Sequence, residues 1–131
     1  MRDTGLLHHM PNIQSLSELE NHPVHGASWE TFLIEDIIRR ERLKSPHTQL
    51  FLWPTTTGVG ADFILDRGSG RVAIEIKAGR GDRPETVRGL ATIVTDTGAK
   101  SAWILDQATG SDPLARGVAG RAYPDSLDWL P

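Results

Sequence analysis

The sequence contains no cysteine. Disulfides, thiolate metal sites and cysteine nucleophiles are therefore excluded, and the absence fits a reducing compartment. No apolar run approaches the roughly 20 residues that span a bilayer. The opening Met1-Arg2-Asp3-Thr4-Gly5 lacks the pattern of a secretory leader. A cytoplasmic location without membrane partners is expected. Positive charge is not in excess either. Fourteen Lys and Arg against seventeen Asp and Glu leave a net charge of -3. Contact with nucleic acid would need a local basic strip, because the chain has no global field to supply it. The Gly-x-x-x-x-Gly-Lys-Ser/Thr phosphate loop is also missing. Gly58-Val59-Gly60 reads as a turn, so nucleotide binding is not expected.

What is present suits one α/β domain spanning residues 1–131. The length of 131 residues can bury a core, and an apolar fraction of 38% with 24% charge is not a disordered composition. The pattern divides into an irregular N-terminal segment (1–25), a core (26–105) and a C-terminal tail (106–131). In the first, Ser15–Glu20 could form a short helix. His8, His9, His22 and His25 show no ligand spacing and read as surface or loop residues. A strong helix follows, with Ser28 as the expected N-cap. Trp29, Phe32, Leu33, Ile34, Ile37 and Ile38 make one broad apolar stripe. The basic run Arg39–Lys44 suits the dipole at the helix end, and Pro46 closes it. Leu50–Trp53, Ala61–Leu65 and Arg71–Ala78 read as strands, with Thr55–Gly60 a turn and Asp66–Gly70 a hairpin loop. A second helix is expected over Pro84–Asp96, stopped at Gly98, with Val87, Leu90, Ile93 and Val94 as its contacts. Ser101–Leu105 is wholly apolar in its centre and reads as a strand buried on both faces. The order helix, three strands, helix, strand contains a βαβ crossover, so the third and fourth strands should be parallel. In the tail, Tyr123 and Trp129 are candidates for anchoring to the core.

The hairpin carries the chemistry. A turn centred between Gly68 and Ser69 sets Asp62 opposite Glu75, with Cβ atoms roughly 4.5–5.5 Å apart. Lys77 shares that face by alternation. The opposite face holds Phe63, Leu65, Val72, Ile74 and Ile76 and must be core. Two carboxylates this close need a cation, a shared proton or an amine between them. Magnesium or manganese would satisfy them through oxygen ligands, with the Ile76 carbonyl as a further donor. Lys77 could orient a water or hold a phosphate oxygen. Glu30 adds a third acid, placed within the apolar stripe beside Leu33, Ile34 and Ile37, where carboxylates seldom sit without a partner. Taken one by one these residues have ordinary readings: a Glu-x-Lys strand pair, an acid near a turn, an acid in a first helical turn. Their conjunction and order point to metal-assisted phosphodiester hydrolysis.

Asp62, a hairpin-length spacer, then Glu75-Ile76-Lys77, preceded by helical Glu30, resembles the core of the PD-(D/E)XK nuclease superfamily. More narrowly, the chain is similar to the C-terminal nuclease-like domain, of unknown function, of bacterial and archaeal AAA-type ATPases. Asp3–Leu7, His25–Phe32, Ala61–Ile64, Ile74–Ala78 and Arg88–Leu90 carry that likeness. It departs at Gly60, where such domains usually carry glutamate, and at Ala61, where the superfamily name has proline. The ATPase half is not expected in this chain. The resemblance implies a restriction-endonuclease-like αβββαβ core, a mixed sheet flanked by helices. It implies a magnesium- or manganese-dependent nuclease in which Glu30, Asp62, Glu75 and the Ile76 carbonyl hold the ion and Lys77 assists. DNA is the expected partner, with Arg80, Arg83 and Arg88 as phosphate contacts. The competing expectation is an inactive nuclease-fold module that binds a partner or forms a homodimer, a remnant of an ATPase-linked protein. The acidic net charge favours that second reading.

Overall fold

The computed structural model describes residues 4–9, 11–53, 60–107 and 113–123. The expected turn over 55–59, the Asp3 opening and Trp129 lie outside the described residues. Three helices come first: α1 (Thr4–His9), α2 (Leu16–Asn21) and α3 (His25–Lys44). Then follow β1 (Gln49–Leu52), β2 (Phe63–Asp66), β3 (Arg71–Ile76), α4 (Pro84–Thr97), β4 (Ser101–Asp106), β5 (Pro113–Ala115) and β6 (Val118–Ala122). They form a six-stranded mixed sheet in the order β1-β2-β3-β4-β6-β5, flanked by helices. The β3–β4 pair is parallel, as the crossover through α4 requires.

The first 25 residues are more regular than their composition indicates. Ser15 caps α2 by accepting a hydrogen bond from the Glu18 amide at 3.2 Å. Residues 4–9 form α1, which packs on α3. Ser28 is not a cap. The helix already begins at His25, the Ser28 amide donates to the Val24 carbonyl, and the buried Ser28 hydroxyl shares a hydrogen bond with the His8 ring. Tertiary contact with α1 thus supersedes the local capping preference. The tail also differs from expectation, since β5 and β6 add two strands beyond β4.

The sheet separates two apolar layers. On one face α3 supplies Leu33 and Ile37 against Phe63, Leu65, Val72, Ile74, Ile76, Trp103 and Leu105. On the other, Leu90 and Ile93 of α4 cover Ile64, Ala73, Ala102 and Ile104. Each fully buried large side chain contributes roughly 1.5–3 kcal/mol. β4 is buried on both faces from Ala102 to Asp106, as its apolar run requires. The β2–β3 register pairs Phe63 with Ile74, Ile64 with Ala73 and Leu65 with Val72. That is the register a turn between Gly68 and Ser69 dictates. Gly68 takes φ +76°, a left-handed conformation that favours glycine, and its amide donates to Asp66 at 2.9 Å.

Candidate functional site

The carboxyl ends of the parallel strands β3, β4 and β6 lie side by side in the sheet, the end at which open α/β sheets commonly bind ligands. Glu75 is the penultimate residue of β3 and Lys77 follows its last. Asp62 precedes β2, which runs antiparallel to β3, so it arrives at the same end. Glu30 comes from the second turn of α3. Sequence reasoning placed these four together, and the structure gathers them.

Their electrostatics are those of a crowded, half-dry acid pair. Glu75 is 4% exposed. Burial, then the Asp62 charge, push its carboxyl up to about 7, against the opposing pull of Lys77. Asp62 is also raised, chiefly by burial. That rise is opposed by the Ile76 amide, which donates to Asp62 at 2.7 Å, by the Lys77 charge and by a hydrogen bond with Glu75. The Lys77 ammonium pairs directly with Glu75. Burial works against the Lys77 charge, but the Glu75 hydrogen bond and the fields of Glu75, Asp62 and Glu30 outweigh it and raise its pKa. Glu30 is raised by burial and then by Asp62, with Lys77 opposing. One of the three ways to reconcile adjacent carboxyls, an amine, is therefore in place, and the raised Glu75 carboxyl favours a second, a shared proton.

The donor set is hard oxygen, which suits magnesium or manganese better than a softer metal. Among the described residues, no three His, Asp or Glu side chains are grouped closely enough to cage an ion. The arrangement fits the magnesium habit of using one or two carboxylates and retaining water and substrate oxygens. Asp62 and Glu75 are the two carboxylates that match it, and Glu30 shapes the field around them.

The predicted phosphate contacts lie in the segment after β3 and on α4. Arg80 lies in the loop after Lys77 but pairs with Asp82 at 2.6 Å. Arg83 is the exposed N-cap of α4. Arg88 is exposed on the same helix, whose buried side carries Thr86, Leu90 and Ile93.

Sequence reasoning missed Asp106. It ends β4 beside Lys77, is 5% exposed, and accepts the Gly81 amide at 2.9 Å. Gly81 sits where a Cβ would meet Ile104 Cγ2 at 2.2 Å and Lys77 Cγ at 3.4 Å. Asp106 thereby ties the loop carrying Lys77 down onto β4, helped by the Lys77 amide, which donates to the Leu105 carbonyl. The available signal was an acid closing an apolar strand, together with the Gly79–Gly81 spacing. Tyr123, expected to anchor the tail to the core, does so in a cluster with Trp29 and Phe32. Tyr123 meets both other rings edge-on, and its hydroxyl donates to Asp36 at 3.1 Å.

Residues 25–120 match the family described as Domain of unknown function (DUF4143). The chain belongs to this family. The matched span runs from the first residue of α3 into β6, so it contains all four site residues. Two uncharacterized mycobacterial proteins are similar to the chain: Rv2008c of Mycobacterium tuberculosis and Mb2031c of Mycobacterium bovis. Each is 32% identical over 96 residues, which is 73% of this chain and 20% of the relative. The chain therefore spans about a fifth of the length of the curated relatives it matches. No solved structure matches it. Among the described residues, no helix is long and apolar enough to cross a membrane.

Proposed function

We propose that this DUF4143 chain carries a PD-(D/E)XK-type site that hydrolyses DNA phosphodiesters with magnesium or manganese, on a restriction-endonuclease-like core. The observation that carries the reading is the convergence of Asp62, Glu75 and Lys77 at one sheet end, with Glu30 arriving from α3. Glu75 is held near pKa 7 by burial and its neighbours. Asp62 and Glu75, with the Ile76 carbonyl, would hold the ion, which supplies Lewis-acid stabilisation of a phosphoryl oxygen and a more acidic water. Lys77 offers a fixed ammonium beside Glu75 for a phosphate oxygen or the attacking water. Glu30 adds negative field that favours a cation at Asp62. Asp106, through Gly81, positions the loop that holds Lys77.

A second reading, an inactive interaction module, is favoured by one observation: Lys77 already neutralises Glu75. A cleavage assay separates the two. Single-stranded, duplex and branched DNA are incubated with magnesium or manganese and the wild-type, Glu75→Ala and Lys77→Ala proteins. The nuclease reading expects cleavage by the wild type alone, and a metal-induced rise in melting temperature that Glu75→Ala removes. Absence of both cleavage and metal stabilisation in the wild type would sink it and leave the module.

A further inference from the structure

A cleft of about 370 Å³ opens where α1, α2 and the first turns of α3 meet the end of β4. That volume lies at the low end of small-ligand sites, roughly 300–1,000 Å³. Its walls include Trp29, Phe32, His25 and Gln107. Three features set it apart from ordinary surface relief. Phe32 is 45% exposed although it belongs to an aromatic cluster, with its ring centroid 6.1 Å from that of Tyr123. Gln107 is exposed at the cleft and offers an amide donor and a carbonyl acceptor together. Two of its residues are also chain neighbours of residues at or beside the acidic site: Trp29 precedes Glu30, and Gln107 follows Asp106.

We propose that this cleft receives an unpaired base of single-stranded DNA, next to the phosphodiester held at the acidic site. The inference rests on the nuclease reading for its position. Its chemistry is independent of that reading. A flat ring needs an aromatic face for stacking and a mixed donor–acceptor group for its edge, and Phe32 with Trp29 and Gln107 supply these. The net charge of -3 opposes approach of a polyanion, so the affinity must come from stacking and edge contacts in the cleft. A base within a duplex is stacked on its neighbours and is unavailable to the cleft, so single strands or unpaired junctions are the expected substrates.

The test compares a fluorescently labelled oligothymidylate with an abasic strand of equal length and charge. Binding is followed by anisotropy with the full chain in EDTA, and cleavage is followed separately with manganese. The base-bearing strand should bind about tenfold or more tightly than the abasic one. Phe32→Ala should remove that preference, whereas Phe32→Trp, which keeps an aromatic face, should retain it. Gln107→Ala, at an exposed position, provides a second variant should Phe32→Ala fold poorly, and should weaken base-bearing binding alone. In the cleavage arm, Phe32→Ala should raise KM toward the abasic value and leave kcat near that of the wild type. Equal binding of the two strands would overturn the base cleft and leave the nuclease reading to stand on cleavage. Binding of neither strand would overturn the cleft as well. A base preference without cleavage would uphold the cleft and remove the nuclease reading.

Discussion

Glu75 shows how much a single side chain can depend on its surroundings. Its folded pKa, about 7, lies well above the ordinary 4.5. The folded state therefore binds more protons than the unfolded state between these values, and stability falls as pH rises through that window. The shift corresponds to roughly 3 kcal/mol at 1.36 kcal/mol per unit, shared with Asp62 because the two titrate as a pair. Denaturant melts of the wild type should show decreasing stability from pH 5 to pH 8. Glu75→Gln, neutral throughout, should flatten most of that slope and be the more stable protein at pH 8. An unchanged slope would mean that the carboxyl titrates at its ordinary value. Gly81 gives a second prediction at this scale. A Cβ there would meet Ile104 at 2.2 Å. Gly81→Ala should destabilise by about 1–3 kcal/mol in a denaturant melt, because the buried branched side chain cannot move aside without opening the layer under α4.

Among the elements, α3 has the most to explain. Its apolar stripe through Leu33 and Ile37 is bracketed by two glutamates on the same helical face, Glu30 near the start and Glu41 near the end. Glu30 faces the acidic site. Glu41, 2% exposed, meets Arg67 of the β2–β3 loop in a two-pronged ion pair at 2.7 and 2.8 Å. This clamp ties the far end of the helix to the hairpin and so helps set the height at which Glu30 stands over the sheet. Removing one partner of a buried pair leaves the other charged and unpaired, at a cost of about 3–5 kcal/mol. Glu41→Ala should lose stability in that range by denaturant melting. Replacing both residues together, Glu41→Leu with Arg67→Met, should recover most of the loss. If the single substitution is silent, the pair is not holding the helix.

At the scale of the whole molecule, the two sheet edges are unequal. β5 is short and begins with Pro113, both features that discourage pairing. β1 carries Phe51 and Leu52, 47% and 68% exposed, followed by Trp53 at 40%. The Trp53 amide donates inward to Asp62, so alternation turns the backbone groups of Leu50 and Leu52 outward. Two copies of β1 running antiparallel about Phe51 would satisfy each other, Leu50 to Leu52 and Leu52 to Leu50. We predict reversible, concentration-dependent dimerisation in sedimentation velocity, weakened by Leu52→Lys. A wild-type chain that stays monomeric at high concentration would rule this edge out.

Much of this architecture was legible in the residues themselves, because period-2 and period-3.6 patterns report which faces are buried. The Gly68-Ser69 turn aligned Asp62 with Glu75, alternation put Lys77 on their side, and the stripe of α3 exposed Glu30 as misplaced unless it served the sheet. Ser28 misled because a capping residue also hydrogen-bonds well inside a helix when another element approaches, as α1 does through His8. β6 escaped notice because Val118-Ala119-Gly120-Arg121-Ala122 has little apolar alternation and gains its order from pairing with β4. The sequence by itself determined the element types from α3 to β4, the hairpin register and which charged residues share its face, since local geometry and side-chain periodicity suffice for those. Only the tertiary structure decided that Asp106 anchors the Lys77 loop, that Glu41 pairs with Arg67 and that burial raises the Glu75 carboxyl to about 7. Each of these depends on distances between distant segments and on how much water is excluded there, and neither quantity is written in local pattern.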